Sequence, residues 1–306
     1  AGLLLALAGL TRFVGVALIA PALLYVSLRR LGWMRAGALA AGFAVPVAAY
    51  SLWFQSSSGS LGITDRNGFF LYGRVASFAD CDRVDVPAEE EALCLEEPPP
   101  QGFVAQGVWT LDVPKRFKTS PDGNRLMLDF SKRMIVAMPL DYARAVGADL
   151  LRYFSWTPPP SQEPNVARWR FPLSLPDADP QRLVRRLEGA PPPHLGLDAT
   201  FRIDASLGGA LRAYQGVVYS YGPLLALLLC LGLMGAVGRG AASGKRDLRR
   251  ESLLFASAAL VLLLVPVMTA VYHFRYVLPV LPLLGPAGAL GIGALIDRRR
   301  ARPGAR

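Results

Sequence analysis

The chain is poor in the side chains of thiol, imidazole and metal chemistry: its 306 residues include two histidines, His194 and His273, and three cysteines. The two histidines stand far apart, so no H-E-x-x-H zinc motif exists. A P-loop, a Rossmann G-x-G-x-x-G fingerprint and a Ser-His-Asp pattern are also missing, which excludes nucleotide hydrolases, dinucleotide enzymes and serine hydrolases of those kinds. Carboxylates are numerous, yet none stands out by spacing as a catalytic pair, and no metal ligand set is assigned. The apolar stretches 217–238, 252–272 and 276–296 carry almost no charge, and there is no internal repeat. Both absences count against a transporter or flippase, which needs polar groups at mid-membrane and repeat symmetry. Finally, the apolar run that begins at Ala1 has no charged n-region before it and no A-x-A-like cleavage site after it. A signal peptide is therefore disfavoured, and a piece that starts within the membrane is expected.

What the sequence does hold is long apolar runs at both ends and a polar, proline-rich middle. Residues 13–28, 36–54, 217–238, 252–272 and 276–296 approach or reach the roughly 20 residues that a bilayer-crossing helix needs. Trp53 and Phe54 close the second run, and Tyr219 and Tyr221 open the third, as interfacial anchors do. Residues 1–10 are read as a separate short helix. One helix over 1–28 would hold Arg12 in its interior, at a cost of about 2.5–3.5 kcal/mol; the alternative is a single tilted helix with Arg12 snorkelling. The expected fold class is an α-helical polytopic membrane protein of about five to six membrane helices, with one inserted, mainly helical and loop-rich extracytoplasmic domain. The expected divisions are 1–54 (helices 1–10, 13–28 and 36–54), the domain 55–216, three helices in 217–296, and a basic tail 297–306.

The net charge of +10 would suit a nucleic-acid partner if it were clustered on one domain, but it is not. Residues 55–213 hold 18 Lys and Arg against 20 Asp and Glu. The excess sits beside apolar runs, at Arg29, Arg30 and Arg35, between Arg239 and Arg250, and after Asp297. Basic loops mark the cytoplasmic side. This places the C-terminus in the cytoplasm, with 55–216 and the 273–275 turn outside, in a multi-pass protein of the cell membrane that binds no nucleic acid.

In the outer domain, residues 61–80 read as a short extended or helical stretch and 85–101 as a solvated acidic loop. Residues 123–138 and 139–155 read as helices. Leu140, Ala143, Val146, Leu150, Leu151 and Phe154 recur at helical spacing in the second. Residues 157–200, with two PPP runs, read as loop, and His194 as incidental. Cys81 and Cys94 share this oxidising compartment and are expected to pair, whereas Cys230 is a small apolar residue of a membrane helix. Asp80-Cys81-Asp82 spells D-x-D, a metal–sugar-phosphate signature, but the favoured reading is a solvated loop; a divalent cation stays open as cofactor. The sharper candidate is basic. His273, Arg275 and Tyr276 form the outer turn, Arg12 lies at the same level, and Arg74 is within reach of it. Arginines at the mouth of a helix bundle suit a lipid phosphate, against the plain alternative of interface anchoring.

The segments "GLTRFVGVALIAPALLYVSLRR", "PVAAYSLWF" and "YHFRYVLPVLPLLGPAGAL", with a long outer segment between, resemble the GT-C superfamily of membrane glycosyltransferases. The likeness is to actinobacterial-type phospholipid-carrier-dependent enzymes, relatives of dolichyl-phosphate-mannose–protein mannosyltransferases. It rests on Leu10-Thr11-Arg12 and on Arg275-Tyr276-x-Leu278-Pro279-x-x-Pro282, which cover about a third of the chain, and "FFLYGRVASFADC" adds to it. The resemblance implies inverting transfer of a sugar from a polyprenyl-phosphate donor to an acceptor outside the cell. Arg12 and Arg275 would hold the lipid phosphate, and 55–216 would shape the acceptor site. The family's acidic base lies in a first outer loop that this sequence lacks, so no catalytic residue is assigned. A non-catalytic membrane protein with an extracytoplasmic binding domain is the alternative.

Overall fold

The computed structural model describes residues 1–97, 99, 111, 113–156, 204–217, 222–237, 248–270 and 272–300. Every regular element among them is helical. By contacts the chain divides into two compact units, residues 1–157 with 221–306, and residues 158–220. The described part of the second unit is one helix, Ala205–Val217, whose first turn is capped by Asp204: its Oδ1 accepts from the amides of Ser206 at 2.9 Å and Leu207 at 3.0 Å. The Ser206 hydroxyl, which donates to the same oxygen at 2.6 Å, and then those two amides hold the Asp204 carboxyl below the usual carboxylate range. His194 and the whole of the proline-rich 157–200 stretch lie outside the described residues, as do Tyr219 and Tyr221.

The first unit opens with α1 (Gly2–Thr11). Arg12 then takes an extended conformation, φ −149° and ψ 112°, and ends that helix. A 3₁₀ stretch, Phe13–Leu18, runs on into α2 (Ile19–Leu28). The expected break at Thr11-Arg12 is thus present. Small residues permit it: a Cβ on Gly15 would stand 2.8 Å from the Ala8 carbonyl oxygen, so the chain doubles back on α1 where only glycine fits. The 3₁₀ and α pieces together span about 27 Å, from rises of roughly 2.0 and 1.5 Å per residue. α3 (Trp33–Ser58) follows and ends at Gly59 in the left-handed region. It is longer at both ends than the 36–54 run, and Phe43 is its one buried residue.

α4 (Asn67–Val75), α5 (Lys115–Thr119) and α6 (Pro121–Ala137) form a compact layer around Phe69, Tyr72, Phe117, Phe130 and Met134, and α7 (Pro139–Arg152) follows, its Val146 and Leu150 packed against a second apolar cluster that includes Leu263. The Cys81–Cys94 disulfide is present, with Cα atoms 6.0 Å apart. The acidic loop it closes is not simply solvated. Glu90 is 2% exposed and meets Arg133 at 3.4 Å, and the Leu93 carbonyl accepts from the Tyr72 hydroxyl at 2.8 Å. A backbone oxygen and a carboxylate from the loop are satisfied by the helices, so the loop packs inward. α7 also differs from its apolar spacing. Leu140 and Leu151 are exposed, while Ala145 and Asp149 line the buried face. Val146 and Leu150, with Phe154 just beyond the helix, do pack against an apolar core as their spacing predicts, so α7 turns part of its apolar row and a carboxylate together toward its neighbours.

α8, the Ala205–Val217 helix already described, belongs to the other unit. α9 (Gly222–Val237), α10 (Leu248–Thr269) and α11 (Leu281–Arg300) pack together around Leu229, Ala259, Leu263 and Leu284. Ser252 stitches all three: its Oγ donates to the Gly232 carbonyl at 2.8 Å and approaches that of Ala287 at 3.4 Å. α11 begins at Leu281, not at Tyr276 as the apolar run suggested. Pro279 disfavours helix at Leu278 and donates no N–H, so residues 277–280 form a turn, and Pro282 is tolerated in the first turn of the new helix. α3 and α10 are long and apolar enough to cross a bilayer; Gly2–Thr11, Phe13–Leu28, Gly222–Val237 and Leu281–Asp297 are shorter apolar helices.

Candidate functional site

At the C-terminal end of α10 the chain meets three other segments. Phe274–Tyr276 form a 3₁₀ turn, and the Arg275 amide donates to His273 Nδ1 at 3.2 Å. The Arg12 guanidinium lies over one side of the Tyr276 ring, 5.3 Å from its centre, and the Arg275 guanidinium lies 5.9 Å from the same centre. His273 packs edge-on to that ring at 6.2 Å. Three of the residues expected from the sequence, Arg12, His273 and Arg275, are therefore gathered around the ring of a fourth, Tyr276. Arg12 is exposed and Arg275 half-buried, with a buried Nε that has no partner.

His273 is 7% exposed. Burial first, then the charges of Arg275 and Arg12, push its pKa down to about 4. It is neutral at physiological pH. Because Nδ1 accepts the Arg275 amide, the remaining proton is assigned to Nε2. The cluster thus combines two permanent cations with a neutral imidazole donor. Such a set suits an anion with several oxygens, since each guanidinium can grip two of them.

Arg74 reaches this region differently from the sequence expectation. It is 2% exposed and forms an ion pair with Asp149, which is 1% exposed. Its Nε donates to the Ala270 carbonyl at 2.9 Å. Asp149 also accepts from Arg152 Nη1 at 2.8 Å and from the Tyr272 amide at 3.1 Å. Burial pulls the Arg74 pKa down, against the opposing pull of Asp149. Arg74 therefore faces the backbone beside the basic cluster and is paired there with a carboxylate.

Sequence reasoning missed Asp149, Arg152, Tyr142 and Tyr272. One signal for Asp149 existed. An arginine inside the apolar stretch FFLYGRVAS is stable when buried only if a carboxylate meets it. Asp80-Cys81-Asp82, by contrast, turns inward on itself: Asp80 Oδ1 accepts from the Asp82 amide at 3.1 Å and caps a 3₁₀ turn. Among the described residues no group of three His, Cys, Asp or Glu side chains is placed to hold a metal ion. The free Cys230 is exposed on α9.

No protein-family profile matches the chain, and no curated protein or solved structure matches it either.

Proposed function

We propose that the chain is a multi-pass membrane protein and part of a GT-C-type glycosyltransferase, one that takes a sugar from a polyprenyl-phosphate donor at the outer face of the membrane. The observation that carries the reading is the convergence of Arg12 and Arg275 on Tyr276, with the neutral His273 beside them. Cleavage of a sugar phosphate leaves an anionic lipid phosphate. Cations held in advance where that charge develops lower the barrier, and more so where water is scarce. The surroundings suit an amphiphile: Phe13 and Leu278, each close in sequence to one of the arginines, are exposed apolar side chains.

The topology that goes with this reading places the His273–Tyr276 turn and residues 55–216 outside, and the tail from 297 inside. Arg29 and Glu251, which meet at 3.4 Å, lie toward the opposite end of α10 from that turn. The basic residues Arg29, Arg30, Arg249 and Arg250 are therefore together at one end, in line with a cytoplasmic face. The sugar and the acceptor are left unassigned.

The test is sugar transfer from a polyprenyl-phosphate donor by the full-length enzyme that carries this chain, in its own membrane, comparing wild type with Arg12→Ala and Arg275→Ala. Each variant should insert normally, shown by unchanged labelling of cysteines placed in the loops, and should lose transfer by tenfold or more. Transfer at the wild-type rate in both variants would end the proposal.

A further inference from the structure

We infer that the Arg74–Asp149 pair is a positioning clamp that holds the basic turn in its anion-binding form. The inference rests on the lipid-phosphate reading of that turn and adds to it the residues that set its geometry. The pair grips the chain at two points just past the end of α10. Arg74 Nε holds the carbonyl of Ala270, and Asp149 holds the amide of Tyr272. The next residue is His273, and two further on is Arg275. α10 ends with free backbone carbonyls, as every helix does, and the Tyr142 hydroxyl takes one more of them, that of Met268, at 3.0 Å. Tyr153 also packs on Tyr272, ring centres 4.7 Å apart. The exit of α10 is thus fixed by side chains of α4 and α7 and not by its own helix.

The composition of the clamp supports this role. Two buried charges are a poor choice for stability alone, since an apolar pair of similar volume often serves as well or better. Geometry explains them. A guanidinium fork reaches a carbonyl and a carboxylate at once, and one carboxylate accepts from Arg74, Arg152 and a backbone amide together. Without the clamp, His273 and Arg275 remain in the sequence but are no longer held around Tyr276.

Three variants test this, each reconstituted in phosphatidylcholine nanodiscs: Arg74→Met with Asp149→Leu, Arg74→Lys, and Arg275→Ala. Two readouts are taken. One is the distance distribution between spin labels at Phe13→Cys and Leu278→Cys, with Cys230→Ser as background. The other is the affinity for added polyprenyl monophosphate. The double variant removes both charges and should fold. Arg74→Lys keeps the ion pair but cannot also reach Ala270, so it serves if the double variant does not fold. The expected result is a broadened distribution in either clamp variant and phosphate affinity reduced about tenfold or more, the loss of one charge-assisted contact, as in Arg275→Ala. If Arg275→Ala weakens binding while a folded clamp variant keeps a narrow distribution and full affinity, the clamp is overturned and the lipid-phosphate reading stands. If Arg275→Ala leaves affinity unchanged, the lipid-phosphate reading fails, and the distance distribution alone decides the clamp: narrow overturns it, broad sustains it.

Discussion

Two glycines of α11 make opposite predictions. A Cβ on Gly291 would stand 2.1 Å from the Leu231 carbonyl oxygen, 2.5 Å from its carbon and 3.0 Å from the Gly232 nitrogen. All three are backbone atoms of α9, so no side chain can swing aside. Gly235 opposes the same spot, 2.5 Å from Gly291 Cα when given a Cβ. Gly291→Ala must therefore push α9 and α11 apart. Overpacking of this kind costs about 1–3 kcal/mol. The Ser252 bond to the Gly232 carbonyl lies across the same seam and would lengthen, adding roughly 0.6 kcal/mol, the average for such links between membrane helices. Gly285, on the same helix, has nothing within 4 Å of its Cβ position. Gly285→Ala should be neutral or gain up to about 1 kcal/mol of helix propensity. The assay is reversible unfolding of the detergent-solubilised protein, the two single variants side by side. We expect Gly291→Ala to fall below Gly285→Ala by about 1.5–3.5 kcal/mol, from the overpacking and the weakened Ser252 bond, the propensity gain being common to both. Equal stability of the two would refute the close α9–α11 packing.

Other expected outcomes concern the outer layer and the turn. Asp149→Ala, which leaves Arg74 buried without its partner, should destabilise by about 3–5 kcal/mol in thermal unfolding, and Arg74→Met with Asp149→Leu should recover most of that loss. Reducing the Cys81–Cys94 bridge frees a loop of sequence separation 13 and should cost about 3 kcal/mol, read as a lower melting temperature with reductant; mass mapping without reductant should find the two joined. His273 has a folded pKa of about 4, below its ordinary value, so the unfolded chain binds the proton more tightly. Its contribution to stability is full above about pH 6.5 and falls as the pH drops from there to 4. In His273→Gln that slope should flatten, and an unchanged pH–stability curve would show that His273 is not held neutral by its surroundings.

Much of the architecture was readable from apolar run length, because a run of that length has few ways to satisfy its backbone other than a helix. The break at Arg12 was readable for the same reason, since a charge in such a helix is costly. The disulfide followed from the oxidising compartment expected for both cysteines. Three features were not fully readable. Helix ends depended on local chemistry: Pro279 moved the start of α11 to Leu281, and the run through Tyr276 gave no sign of it. The inward face of α7 was only partly legible: Val146 and Leu150 pack inward as their spacing predicts, but Asp149 is buried beside them by a partner, Arg74, 75 residues earlier. The packing of Glu90 against Arg133 was hidden by a surrounding run of acidic residues that looks solvated as a whole. At the site, residue types pointed to Arg12, His273, Arg275 and Tyr276, but the clamp that holds them is made of contacts distant in sequence, which no local pattern encodes.

The most direct measurement of the central claim is photo-crosslinking with a photoactivatable polyprenyl monophosphate in nanodiscs, with the matching prenyl alcohol as control, followed by peptide mapping. The account predicts labelling concentrated near Arg12 and in the 275–278 segment, competed by unlabelled polyprenyl phosphate and lost in Arg12→Ala with Arg275→Ala. Equal labelling by the alcohol, or labelling that survives removal of both arginines, would contradict it.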